Sequence, residues 1–501
     1  MSSSLPEVGP ASDGQVTGAP TVSDLLNDAP RSRFHSRAVV ISGMGFFTDA
    51  YDLFVISTVA TLVKTQWHLS TTETSWVTGA AILGAFLGAV IFGRIADVLG
   101  RKSVYAAVAV VMIIGAVTSA FATGFLWLVL ARLLLGLGIG GDYPVSAVLM
   151  SEYSNREDRG RLVGLVFSMQ ALGLIVGPIV GLCLLGSGVS HDLTWRLMLG
   201  LGALPAAGVV YLRMKMPESP RFQARVRGNS QKAVHQLASF SDGVVKDGSA
   251  ADEGLRRMGL RTFLTNPRML LLLLGTAGAW FLFDYAYYGN TLSLPAILKS
   301  VSPHASLIIQ LCWSLGIFVV FAAPGYLLAV TKMDRIGHKR LQLIGFAVIA
   351  GAFLVLSAVP FLTSHVAPFL LIFGLSYFFV EFGPNTTTFV LPSEVFPVSM
   401  RTTGHGLAAG IGKLGAFIGV FLVPTLQRHI GLRGMIGVAA AFAAFGFLLT
   451  LVLPEPARRN LEEVSGEDDP HVSVARSTAG VRAVDLGVAV PGRIGVSRES
   501  V

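Results

Sequence analysis

The chain has 501 residues, 52% of them hydrophobic and only 14% charged, with a mean hydropathy of +0.64. A soluble fold of this size has too little interior to hide so much apolar surface, so the composition calls for a membrane as solvent. The net charge of +8 does not indicate nucleic acid, because the lysines and arginines fall mostly in short segments between apolar runs, where orientation signals belong.

Residues 1 to 35 are polar and lack the basic start and apolar core of a secretory signal, which reads as a disordered cytoplasmic tail. Six apolar runs follow, near 38 to 63, 75 to 98, 103 to 123, 125 to 150, 162 to 186 and 195 to 214. Six more lie near 269 to 297, 306 to 331, 341 to 362, 366 to 392, 403 to 425 and 434 to 453. Each has the roughly 20 residues that a span requires. The expected fold is an all-α membrane protein with twelve transmembrane helices in two six-helix bundles, over 36–214 and 269–453. A central loop, 215–268, and a polar, disordered tail, 454–501, complete it.

The central loop carries Arg221, Arg225, Arg227, Lys232, Arg256, Arg257 and Arg261, and short loops on the same side carry Arg101, Lys102, Arg156, Arg159, Lys339 and Arg340. The excess of positive charge makes that side cytoplasmic, with both termini inside. Cys183 and Cys312 lie in apolar runs of opposite halves, so neither a disulfide framework nor a zinc site is expected, and no cofactor is implied.

The halves repeat one another. Ser151-Glu152 with Arg159 matches Ser393-Glu394 with Arg401 at an offset of 242 (394 − 152), and Tyr143 and Asn385 share that offset. Near the start of each half, the segment around Asp49 resembles that around Asp284, offset by 235 (284 − 49). Six spans repeated in parallel build a transporter with its substrate site between the halves near the midplane, and Asp49 and Asp284 should face each other there.

The stretch Gly93-Arg94-Ile95-Ala96-Asp97-Val98-Leu99-Gly100-Arg101-Lys102 resembles the loop motif of the major facilitator superfamily, and it is echoed at Asp334-Arg335-Ile336-Gly337-His338-Lys339-Arg340. A glycine-permitted turn with an acid at a helix end and cations beside it makes a charge latch that forms in one state and breaks in another. Gating pairs are expected from Asp97, Arg101 and Asp334, and from Glu152 with Arg159 and Glu394 with Arg401. Gly140-Gly141-Asp142-Tyr143-Pro144-Val145-Ser146-Ala147, followed by Ser151-Glu152, resembles the signature of the phosphate:proton symporter family. That resemblance covers about residues 38 to 460. It implies a proton-coupled inorganic phosphate symporter working by alternating access, with Tyr143, Gln170, Trp280, Asp284, Tyr288 and Asn385 contacting phosphate. Arg132 and Lys413 match family positions as well. Gly136-Leu137-Gly138-Ile139-Gly140-Gly141 looks like a dinucleotide loop, but it lies inside a span with no preceding strand, so close helix packing explains it.

Ionisable groups within a span are costly unless they face a cavity or a partner, so Asp49, Asp52, Arg132, Asp142, Asp284 and Lys413 are functional candidates. The bland alternative for Asp142 is an internal salt bridge with Arg132; for Asp52, a place near the outer mouth. Trp280, Asp284 and Tyr288 recur every four residues along one helix face. The phenols of Tyr143 and Tyr288, the Trp280 indole and the amides of Gln170 and Asn385 supply donors for an oxyanion, and Lys413 supplies charge. Asp284 fits that pocket if substrate or acid carries a proton, so that proton and anion are bound better together. Asp49, Asp52, Asp142 and Arg132 are the expected proton-coupling group. His405 reads as structural.

Rival readings are a proton-coupled sugar or aromatic-acid carrier on the same fold, or a non-transporting nutrient receptor. An enzyme is not expected, for there is no P-loop, His-Glu-x-x-His or nucleophile elbow, and no metal site. The expected setting is the plasma (inner) membrane, crossed many times by a monomer.

Overall fold

At membrane depth the backbone has no water to bond, so each apolar run satisfies its amides as helix. The computed structural model describes residues 20–240, 251, 254–468 and 474–476. Among these, eleven helical stretches are long and apolar enough to cross a membrane. Spans 1 to 6 are Arg33–Gln66, Thr71–Leu99, Arg101–Ala120, Phe125–Tyr153, Arg159–Gly186 and His191–Lys215; spans 7 to 10 are Pro267–Leu292, Leu307–Ile336, His338–Ala358 and Val366–Val395. The eleventh stretch, Arg401–Thr450, bends at Gly431 (φ 71°, ψ 174°) and therefore holds spans 11 and 12 joined end to end.

The internal repeat extends to the way helices begin. Gly100 and Gly337 turn the chain into spans 3 and 9 with φ of 108° and 101°, values that only glycine adopts without strain. Beside each turn sits a carboxylate from the far end of the same half. Glu218 accepts from the Arg101 amide (3.2 Å), and Glu455 accepts from the His338 amide (2.8 Å), satisfying donors that a helix start leaves free.

Span 1 packs on span 5, span 2 on span 4 and span 3 on span 6; in the second half the equivalent pairs are 7 with 11, 8 with 10 and 9 with 12. The halves meet where span 2 lies against span 11 and span 5 against span 8. Gly136 and Gly140 allow spans 2 and 4 to touch backbone to backbone, since a Cβ at either would stand 1.9 Å from the carbonyl oxygen of Ala81 or Ala85. This is the packing role expected of the glycine run. Leu126, Leu130, Leu204, Leu327, Leu371 and Phe445 are exposed on the outside, as a lipid-facing belt requires.

Two expectations need correction. Residues 1–19 lie outside the described residues, but 20–35 are not a disordered tail. Thr21 caps a helix at Val22–Asp28 through a reciprocal pair with Asp24, and Val22 and Leu26 are buried. The tail after Pro454 is likewise ordered through residue 468, with a helix at Leu461–Ser465 whose Leu461 and Val464 are buried. Both segments dock on the short central-loop helix Pro220–Arg225. Arg221 donates to Glu462 (3.0 Å) and to the Asn27 side-chain oxygen (2.6 Å), and the Asn27 amide donates to Glu462 (3.3 Å). Burial alone would raise the Glu462 carboxyl, but Arg221 and Arg225 outweigh it and hold the group well below the usual carboxylate range. Segments this short look polar on average; their few apolar residues are ordered by a surface that only the fold creates.

Candidate functional site

Span 7 turns Trp280, Asp284 and Tyr288 toward the seam, and span 11 meets them with Lys413. The Lys413 ammonium donates to Asp284 Oδ2 and to the Tyr288 hydroxyl, both at 3.0 Å. It also stands over the rings of Tyr288 (4.2 Å) and of Tyr143 from span 4 (4.7 Å). The Gln170 amide of span 5 donates to the Tyr143 hydroxyl (3.0 Å), and Gln170 Oε1 accepts from the Tyr326 hydroxyl of span 8 (3.2 Å). Asn385 of span 10 in turn donates to the Tyr326 oxygen (2.8 Å). Trp280 packs on Tyr143 with ring centroids 6.2 Å apart. All seven candidate binding residues thus fall in one buried cluster drawn from both bundles. Its aromatic wall is completed from span 1, where Phe46 meets Tyr143 and Phe54 stacks on Tyr288.

The carboxylates of the first half sit beside this cluster. Asp49 is fully buried, and neither of its oxygens has a hydrogen-bond partner. Asp49 and Asp284, from opposite bundles, are both near enough to the Tyr143 hydroxyl for their charges to act on it. Asp52 is also fully buried and unpartnered, its carboxyl pressed against Gly202, so it is not at the outer mouth. Arg132 donates to the backbone oxygen of Asp52 (2.7 Å) and makes no bond to Asp142. The pairing expected between Arg132 and Asp142 is therefore replaced by another: Arg213, at the end of span 6, grips Asp142 with two bonds of 2.7 and 2.9 Å. Helix packing decides this, because Arg132 lies ten residues toward the opposite end of span 4. His405 accepts its structural role through a 2.9 Å contact with the Phe389 carbonyl.

At the end carrying the basic loops, the seam is closed by ions. Glu152 and Arg159 do not pair with each other, nor do Glu394 and Arg401; the repeats exchange partners. Arg159 bonds Glu394 at 2.7 Å, and Arg401 bonds Glu152 at 3.2 Å, so each pair staples one bundle to the other. Arg101 binds Asp97 (3.1 Å) and Glu152 (3.2 Å) and donates to the Val398 carbonyl (2.6 Å). Asp97 accepts from the Thr403 amide (2.6 Å) at the start of span 11. In the mirror position His338 joins Asp334 (3.2 Å) to Glu394 (2.8 Å), and Asp334 accepts from the Arg161 amide (2.8 Å). The pairs made by Arg101, Arg159 and Arg401 are buried and Asp334 is largely so, unlike the exposed ion pairs whose worth is small.

The sequence profile described as "Sugar (and other) transporter" matches residues 38–467. The chain belongs to this family of the major facilitator superfamily. Its relatives include the probable inorganic phosphate transporter 1-6 of Arabidopsis thaliana, 35% identical over 89% of this chain and 96% of that one. The low affinity inorganic phosphate transporter 4 of Petunia hybrida is also 35% identical, over 89% of this chain and 94% of that one. Among solved structures, the major facilitator proton:xylose symporter XylE bound to 6-bromo-6-deoxy-D-glucose superposes with a TM-score of 0.73 at 19% identity, covering 87% of this chain and 99% of that one. The inward-open form of XylE gives 0.58 at 18% identity, over 86% and 99%. These two likenesses establish the fold.

The transporter also has a vestibule at the end opposite the ionic lattice, a cavity of about 670 Å³ between the bundles. Lys64, Lys299 and Arg428 line it with many Ser and Thr hydroxyls, and no acidic side chain is among its lining residues. Reading the sequence missed Glu381, Tyr326 and Arg213, and it gave His338 no role of its own within the echoed loop motif. The signal for Glu381 was present, since it is an ionisable residue inside an apolar run, as Asp284 is. Arg213 sits at a span end, where a charge is ordinary and carries no signal.

Proposed function

We propose that this transporter is a proton-coupled symporter of inorganic phosphate that works by alternating access, with the basic-loop end and both termini in the cytoplasm of a cell whose plasma membrane it crosses. The observation that carries the reading is the buried Lys413–Asp284 pair ringed by the donors of Tyr143, Tyr288, Gln170 and Asn385. The names of the plant relatives support the same substrate. A neutral sugar takes only hydrogen bonds from a buried ammonium, whereas a tetrahedral anion takes its charge and its hydrogen bonds together. Asp284 rejects anions that carry no proton, because a bare carboxylate repels them, while a monohydrogen or dihydrogen anion can donate to it.

Anions enter through the cationic vestibule while the ionic lattice holds the cytoplasmic end closed. Phosphate then competes with Asp284 for Lys413. That loss leaves the carboxylates of the site without positive charge, and Asp49, which has no partner of its own, gains a proton with the anion. Asp142 with Arg213 fixes the charge behind Asp49, and Asp52 with Arg132 lies farther along span 1 as part of the same relay. Opening toward the cytoplasm breaks the exchanged pairs Arg159–Glu394 and Arg401–Glu152. Uptake of labelled phosphate by purified protein in liposomes, with and without an imposed pH gradient, tests the function. Accumulation that needs the gradient and is competed by arsenate but not by sugars supports it; gradient-driven sugar uptake without phosphate uptake overturns it.

A further inference from the structure

Glu381 is fully buried in span 10 and takes no part in the coupling scheme above. Among the described residues no ion pair includes it. Its oxygens meet neutral donors only: the Tyr287 hydroxyl of span 7 (3.1 Å) and the Asn385 amide (2.5 Å), with the Tyr326 hydroxyl of span 8 beside them. Tyr377, four residues back on its own helix, is the other titratable group facing it. A carboxylate at this depth without a cation costs several kcal/mol. A site of this kind is retained where the acid exchanges a proton.

The position matters because of Asn385. Gly383 (φ −113°, ψ −109°) breaks span 10 between the two residues, and this brings the Asn385 amide back onto Glu381 while its other hydrogen serves the Tyr326 oxygen. With Glu381 ionised, both amide hydrogens of Asn385 are consumed, and Tyr326, Gln170 and Tyr143 are locked in one chain of bonds. A proton on Glu381 turns the acid into a donor toward the Asn385 carbonyl oxygen. The amide then turns over, and its hydrogens face the seam. We propose that Glu381 is a second proton-binding site of the transport cycle, whose protonation releases the Asn385 amide to bind the anion. One O–H bond forms on entry and breaks on exit, so the proton travels with the anion. The inference rests on the phosphate reading and on Asn385 as an anion ligand.

The test uses purified transporter in liposomes, with the proton-to-phosphate ratio taken from the combinations of pH gradient and voltage at which phosphate flux reverses and KM measured across pH. The wild type should show a several-fold improvement of KM on acidification; Glu381→Gln should lower the ratio by one proton and remove that improvement. Glu381→Asp, which keeps a titratable group, should retain both. A Glu381→Gln protein with the wild-type ratio and pH profile overturns the proposal. Should neither variant purify as a monodisperse protein, the wild-type count decides: more than one proton per phosphate is required, and a count of one sinks the idea. A wild type that moves no phosphate is a different result, and it overturns the phosphate reading instead.

Discussion

At the scale of single residues, the site is a balance of buried charges that few neighbours can restore. Asp284→Asn should abolish phosphate accumulation driven by a pH gradient, since the uncharged amide is not displaced from Lys413 as a carboxylate and so cannot drive a proton onto Asp49 when the anion binds. Lys413→Met removes the positive charge of the pocket and leaves Asp284 alone. A loss of about 3 kcal/mol is expected, roughly two orders of magnitude in kcat/KM for phosphate uptake. Arg213→Gln acts on stability before transport. It strands Asp142 in the bundle at a cost of about 3–5 kcal/mol, and Asp142→Asn in the same protein should recover part of it, as thermal unfolding in detergent would record. Failure of the second change to help would mean that Arg213 works by packing rather than by charge.

At the scale of elements, the short terminal helices are held by a clamp with its own pH signature. Glu462 is held below its ordinary value by Arg221 and Arg225, so its contribution is complete above about pH 4.5 and fades as acid protonates the folded form. Glu462→Gln should therefore lower the melting temperature at pH 7, and the gap to the wild type should narrow on acidification below that point. A gap independent of pH would mean that shape, not charge, holds the clamp. Apolar periodicity located the spans because it is written along each helix. It could not locate the helices at Val22–Asp28 and Leu461–Ser465, each ordered by Arg221, which lies far away in the chain. The partner of Asp142 escaped the sequence for the same reason: closeness along span 4 offered Arg132, whereas the bundle delivered Arg213.

At the scale of the whole molecule, the ionic lattice is expected to set which face opens and the vestibule to set how fast anions arrive. The exchanged pairs Arg159–Glu394 and Arg401–Glu152 exist only when the basic-loop ends of the two bundles meet. Arg101→Ala with Arg159→Ala should shift the population toward the inward-open form. A cysteine placed at Thr402 should then label faster, and one placed at Thr74 in the vestibule more slowly; unchanged labelling at both would show that the lattice does not set the equilibrium. The vestibule acts on encounter rather than on chemistry. Neutralising Lys64, Lys299 and Arg428 together should raise KM and flatten its dependence on ionic strength while leaving kcat in place.

Alone, the sequence determined what a one-dimensional pattern can encode: twelve apolar runs, two related halves, the side rich in positive charge, and a set of intramembrane polar residues whose cost marked them out. It also carried the signature through Tyr143 that pointed to the family. Tertiary structure decided which of those residues touch. The repeats swap partners across the seam, Asp142 turns to Arg213, and Glu381 meets Asn385 through a break in its own helix. Burial energy is summed along a helix and can be read there, but pairing depends on how helices from distant parts of the chain cross, and no local rule records that.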